Sequence, residues 1–368
     1  MKKAIPIIVF AISLMSCGRA NDAGTTEIVD LVNVTSVPFI DIFETDIFGE
    51  PTYIPINNSV PLGEIGAIKR HDDRLYFVHG DPRFSELIAH DTDGVPISKI
   101  GTRGRGPEEY LTVTAFDIDK SGNICIADNY TKKLIIYNAN YEFVEVKSLP
   151  SGMGVEAIKC LDNGMYLLTL TPPWQTDEYD NAMVVIADKE MNIVKTLLKY
   201  DMTIIDPNFI LSHSGLEEAF DKIFFHPSSY DSVFVMSLKG EYEMKYQFDL
   251  GSSKLPGEYR TNIDLHFQEL STYRYLEGFT IANDKYVLGY MRDKGVRKYY
   301  IVVRESGIMY ELTSEILGKN TIGAFTTVID NSLVSLMTVT DEMIALLPED
   351  IRERARHSDY ILCMYPLK

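Results

Sequence analysis

The chain of 368 residues carries 53 acidic against 35 basic side chains, a net charge of −18, which argues against a basic surface for nucleic acid or anionic lipid. With 45% hydrophobic residues it has the composition of a folded globule, and its length suits one large domain or two ordinary ones. Its seven histidines show no helical i, i+4 pair and its four cysteines no zinc or redox spacing, so no metal and no cofactor is expected.

In chain order, residues 1–16 open with Lys2 and Lys3, continue in an apolar run and end in small residues before Cys17. The run is shorter than the ~20 residues of a spanning helix and has the layout of a secretory signal. Leu14-Met15-Ser16-Cys17 resembles the lipobox of bacterial lipoproteins, which implies cleavage before Cys17 and its lipidation. Several acyl chains anchor an otherwise soluble body stably. The expected membrane contact is therefore this lipid anchor, in the bacterial envelope at the outer membrane. Residues 17–50 read as a lipidated cysteine, a small polar tether and a stretch without assignable pattern.

From residue 51 to 368 a pattern sets in. GAIKRHDDRLYFVHGDPRFSELIAHDTDGVPISKIG reads as four short strands with turns at His71-Asp72-Asp73 and Asp91-Thr92-Asp93-Gly94. AFDIDKSGNICIADNYTKKLIIYNANYEFVEVKSL repeats it. Four strands in every 40 to 50 residues or so is the signature of propeller blades. Four further blades are traceable, the fourth with a weak innermost strand upstream of DKIFFHP. The sixth lacks an outer strand, which TYIPIN at residues 52–57 is predicted to supply, closing the ring and removing sheet edges. The expected fold is all-β: a six-bladed β-propeller of four-stranded antiparallel blades. The cysteines at 125, 160 and 363 lie in apolar strand-like runs; they allow one disulfide at most and read better as small buried hydrophobes.

The series IGTRGRGPEEY, FDIDKSGNICIAD and KKLIIYNANYEF resembles the six-bladed β-propeller lipoproteins of Bacteroidota, whose blades are similar to NHL repeats and whose typical form is a GxxGRGPxEY joint followed by D-x-x-GNIYVxD. The likeness is strong over residues 53–149 and rests on period alone elsewhere. It implies the fold far more than a function.

Sorting loops by face gives tight first-to-second and third-to-fourth turns on one side. Long second-to-third and blade-to-blade connections lie on the other, so binding is expected on the long-loop face. There, Arg103 and Arg105 are able to fork onto a carboxylate or phosphate, with Glu108, Glu109 and Tyr110 following. The competing reading, which is preferred, makes this stretch a structural joint, with Arg105 paired to a neighbouring blade's carboxylate and Tyr110 packed between blades. Trp174, with Tyr179 nearby, is placed either to stack on a sugar or peptide or to anchor its own loop. Asp81, His79 and His226 are channel-side candidates, although no nucleophile and base pair can be named. The run from Asp117 to Asp128 mimics calcium-loop spacing, but its second half alternates as a strand, so a hairpin is expected.

Thr340-Asp341 reads as an N-cap opening a helical insertion before the last strand, to cover the ring closure rather than lid the channel. The expectation is a monomeric propeller lipoprotein that binds a glycan, peptide or protein through its long-loop face without catalysis. The alternative is a hydrolase or lyase acting at the channel mouth.

Overall fold

The computed structural model describes residues 29–33, 36–37, 47–81, 83–172, 179–206, 215–227, 230–313 and 325–368. Within them the chain forms a six-bladed β-propeller. Blade 1 consists of Ile65–His71, Arg74–His79, Glu86–Asp91 and Pro96–Ile100, from channel to rim. Blade 2 is Ala115–Ile118, Ile124–Asp128, Lys133–Tyr137 and Phe143–Ser148, and blade 3 Val155–Cys160, Tyr166–Leu170, Ala182–Ala187 and Ile193–Lys199. Blade 4 is Glu217–Ala219, Lys222–Phe225, Ser232–Ser237 and Tyr242–Asp249. Blade 5 is Arg274–Ala282, Tyr286–Asp293, Val296–Val303 and Ile308–Thr313. Blade 6 is Phe325–Ile329, Ser332–Thr338, Ser358–Pro366 and, as its outer strand, Thr52–Asn57.

Residue patterning follows from where each strand stands in its blade. Middle strands are covered by neighbouring blades on both faces and read as unbroken apolar runs: Ala182–Ala187 and Ile124–Asp128 are buried throughout. Outer strands face solvent, as Phe143–Ser148 does. Apolar seams fill the interfaces. Tyr76, Leu87 and Ile100 meet Tyr110, Phe116 and Ile126 between blades 1 and 2.

The ring closes as the missing strand predicts: Thr52–Asn57 runs antiparallel to Ser358–Pro366, with Ile54 opposite Leu362. Pro55 is tolerated because the strand is at the edge, where no further partner needs its amide. The seam behind it packs Ile54, Ile56, Leu362 and Met364 against Leu75, Phe77 and Ile88 of blade 1. The insertion contains the helices Asp341–Leu346 and Glu349–Ala355, the first capped by the Thr340 side chain accepting from the Met343 amide at 3.2 Å. The second helix packs on the closing strands and Arg354 reaches Asp93, so the insertion covers the closure, and none of its residues lines the channel.

Two additions have no counterpart in the sequence reading. Val29–Asn33 adds parallel to Tyr242–Asp249, and Ser36–Val37 adds parallel to Ile308–Thr313. Parallel edge additions have no hairpin turn to announce them. Blade twist also blurs the two-face sorting at the rim. The Asp93-Gly94 turn of blade 1 sits against blade 6, with the Asn57 amide donating to the Gly94 carbonyl at 2.9 Å.

Candidate functional site

The inner strands line a central cavity of about 1220 Å³ that runs from Glu64, His79 and Tyr130 at the long-loop end to His71, Asp162 and Asp330 at the tight-turn end. Each inner strand ends at a tight turn, and an ionisable residue stands one to three places before it in four blades: Lys69, Asp117, Lys159 and Glu218. These four form a chain of charge. Asp117, 1% exposed, lies 2.6 Å from Lys69 and 3.0 Å from Lys159, and Lys159 lies 2.6 Å from Glu218. The Cys160 amide donates to the Asp117 carboxylate at 2.7 Å. Burial works to raise the Asp117 carboxyl, but the two lysines outweigh it and hold it below its ordinary value. Lys159 is held above its own ordinary value, because its two carboxylates outweigh its burial.

Glu217 is different. Its carboxylate faces the cavity, where it accepts from the Thr327 hydroxyl at 3.0 Å and from the Val328 amide. No ion pair to it occurs among the described residues, since Lys69 is committed to Asp117 and acts on it only from a distance. Burial therefore raises its carboxyl above the ordinary range. Blades 4 and 6 meet here across the inner end of blade 5: the Phe220 amide also donates to Asn331 Oδ1 at 2.7 Å, with Phe220 held at φ 53°. Blade 5 gives way because its inner strand carries a register shift between Leu276 and Thr280, around Gly278 at φ +71°. A Cβ at Gly278 would lie 1.7 Å from the Tyr290 hydroxyl. The glycine thus makes room for Tyr290 in the cavity wall, where burial pushes its phenol up to about 12.

The residues singled out from the sequence lie mostly at the rim. In the joint, Tyr110 is fully buried; its hydroxyl donates to the Ile100 carbonyl at 2.7 Å and accepts from the Leu87 amide at 3.2 Å. Glu109 accepts from the Gly106 amide at 2.6 Å, and the Glu108 carbonyl accepts from the Tyr137 hydroxyl at 2.6 Å. Lys133 of blade 2 donates to the Gly106 carbonyl at 2.6 Å. Arg105 is exposed and the expected interblade ion pair is not found among the described residues; its backbone carbonyl accepts from Lys133 at 3.1 Å. A lone charge on a solvated loop tip loses little by staying in water.

Arg103 lies over the exposed Phe84 ring at 4.0 Å, Arg83 lies 5.7 Å from the centre of the same ring, and Arg83 pairs with Asp81 at 3.0 Å. The structure so joins Arg103 and Asp81 in one exposed series of contacts. Tyr179 is half-buried and donates to the Ser151 carbonyl, and His226 is buried with Nε2 donating to the Tyr230 carbonyl at 3.0 Å. Neither joins that series or lines the cavity, whereas His79 does. Trp174 and Cys17 lie outside the described residues. The calcium-like run is a hairpin, with Asp119 accepting from the Ser121 and Asn123 amides. Among the described residues no group of three or more His, Cys, Asp or Glu is arranged to hold a metal. Nor is any described helix long and apolar enough to cross a membrane.

The channel residues escaped the sequence reading, though a signal exists. The segments IKRH, FDID, IKC and EEAF place charge inside apolar inner strands just before each turn.

Fold and channel define the class: a six-bladed β-propeller whose axis is a charged, open cavity. The family model described as "Domain of unknown function (DUF4934)" matches residues 33–358, and the chain belongs to that family. A putative exported protein from Bacteroides fragilis NCTC 9343 has a similar structure, with a TM-score of 0.73 at 14% identity, over 92% of this chain and 99% of that one. A member of the DUF4221 family from Bacteroides vulgatus ATCC 8482 is similar with a TM-score of 0.51 at 10% identity, over 88% and 97% of the two chains. A streptogramin B lyase follows with a TM-score of 0.38 at 14% identity over 72% and 73%, too slight a likeness to bear on chemistry. No curated protein matches the sequence. Identities this low establish a common fold and leave function to the site.

Proposed function

We propose that the chain is an exported monomer, anchored in the outer membrane through lipidated Cys17, which binds a ligand in its central channel without transforming it. The lipobox-like residues before Cys17 and the likeness to a putative exported protein support export and anchoring. The ligand enters by the long-loop mouth, past Glu64 and Tyr130, and presents a cationic amine to Glu217 and the Tyr290 ring. Basic peptides and amino sugars have that chemistry.

Glu217 is the observation that carries this reading. It is a carboxylate facing an open cavity, held by a hydroxyl and an amide, with no cation of its own among the described residues. An incoming ammonium supplies the missing charge, and a nearby aromatic face adds attraction. The nine acidic against four basic side chains lining the cavity favour the same sign of ligand.

Calorimetric titration of the full-length chain with lysine-containing peptides and glucosamine oligomers checks it. Glu217→Gln is expected to weaken binding at least about tenfold with the circular dichroism spectrum unchanged. Wild-type affinity is expected to rise with pH as Glu217 ionises. An unchanged affinity in the variant rules out Glu217 as the contact. One feature favours a second reading, a hydrolase or lyase: a carboxyl raised above its usual range is suited to general acid catalysis. Recovery of the ligand with altered mass would establish that reading instead.

A further inference from the structure

We propose that Cys125 and Cys160 form a disulfide that ties blade 2 to blade 3 beside the channel. Cys125 lies on the second strand of blade 2, directly opposite Asp117, and is buried. Asp117 crosses to blade 3 and accepts the Cys160 amide at 2.7 Å, so both cysteines flank the same carboxylate from adjacent blades. Cys160 packs against the seam that contains Cys125, Ile158 and Tyr166, so the two cysteines share one apolar layer between blades 2 and 3. Cys160 also belongs to the cavity wall, whereas Cys125 is buried behind it in blade 2. The third described cysteine, Cys363, stands in blade 6 with Met337 Sδ at 3.7 Å.

The proposal rests on the reading of the chain as exported, because envelope compartments supply oxidant where the cytosol does not. The oxidant is a disulfide, either on a dithiol oxidoreductase or on a small molecule. The Cys160 thiolate attacks one of its sulfurs, forming a mixed disulfide and releasing one donor thiolate. Cys125, deprotonated in turn, attacks the Cys160 sulfur and releases the second donor thiol. The two protein thiols lose two protons and two electrons, and the donor disulfide is reduced to two thiols. The contact with Cys125 and then burial hold the Cys160 thiol well above its ordinary pKa, so uncatalysed exchange is slow at neutral pH and faster as pH rises.

The bond closes a loop of about 35 residues and constrains the unfolded chain. It also stiffens the channel wall next to Lys159. The full-length chain, reduced and then incubated with glutathione disulfide at pH 8.5, is mapped by mass spectrometry without reduction. The expected product is a cross-linked pair of peptides containing Cys125 and Cys160, with Cys363 still alkylatable. A rise of about 5 °C in Tm over the reduced chain is expected with it. Cys125→Ser is expected to stop at a glutathione adduct on Cys160. A persistent adduct on wild-type Cys160, or unreacted thiols at both Cys125 and Cys160 after prolonged oxidation, overturns the pairing. Alkylation of intact cells before lysis separates the two premises. Both cysteines reduced in cells, with cross-linking intact in vitro, overturns the envelope reading and the claim that the bond is native. Recovery of the cross-linked Cys125 and Cys160 peptides from those cells supports both.

Discussion

The joint at residues 101–110 and the inner end of the channel both gather charge where blades meet, yet they treat it in opposite ways. In the joint the charged side chains that make contacts bind backbone, Glu109 accepting from the Gly106 amide and Lys133 donating to the Gly106 carbonyl beside the Tyr110 and Tyr137 hydroxyls, while exposed Arg105 has no ion pair among the described residues. In the channel the charges themselves make the contacts, with Asp117 buried between two lysines and Glu217 left facing the cavity without a cation among the described residues. A conspicuous sequence motif thus serves as a brace, and inconspicuous single charges in apolar strands form the polar interior. Conspicuousness in sequence and depth in structure are separate properties.

The contrast breaks most visibly at Asp117. Replacing it by Ala leaves Lys69 and Lys159 facing each other without their shared anion, and chemical denaturation is expected to show a loss of about 3–5 kcal/mol. A loss below about 1 kcal/mol would mean that water in the channel already screens the lysines, and the channel would then resemble the solvated joint.

Next in size is His90, which gives the comparison a pH axis. It lies fully buried in blade 1 against the Phe77 ring, with neither ring nitrogen hydrogen-bonded among the described residues. Burial is the chief cause that brings its imidazole down to about 4, the neighbouring His79 adding to it and Asp91 opposing. A histidine whose folded pKa is depressed favours the native state while neutral. Its contribution is intact above the unfolded value near 6.5 and is lost as pH falls from there towards 4, by about 3 kcal/mol in all. Equilibrium unfolding followed between pH 7 and pH 4 checks this, and His90→Leu is expected to flatten that part of the profile. An unchanged slope in the variant would assign the acid sensitivity to other groups.

The smallest effects lie in the joint, where two substitutions sharpen the comparison between brace and charge. Tyr110→Phe keeps the ring but leaves the Ile100 carbonyl and Leu87 amide without the hydroxyl, at a cost of about 1–3 kcal/mol. Arg105→Ala is expected to stay within about 0.5 kcal/mol of wild type. The reverse order in thermal denaturation would restore Arg105 as a structural residue.

Much of the fold was legible locally. Alternation and tight turns mark strands, their repetition marks blades, and an absent outer strand in blade 6 points to Thr52–Asn57 as the closure, which the register with Ser358–Pro366 bears out. Legibility failed where pairing carries no turn, as at Val29–Asn33, but held for the weak inner strand of blade 4, which is the three-residue Glu217–Ala219 just upstream of its partner. For the candidate site the sequence supplied residue types without partners. An excess of acids over bases promised Arg105 a carboxylate somewhere, but composition counts charges and does not say which of them are neighbours.

What the sequence by itself determined, then, is the repeating strand pattern, the six-bladed ring and the tight turns, because each depends on residues a few places apart. Tertiary structure alone decided which charges converge. Lys69 meets Asp117 across 48 positions and Thr327 meets Glu217 across 110. Those encounters depend on the ring bringing inner strands from separate blades around one axis, where removal from bulk water makes each ion pair, and each carboxylate without one, matter.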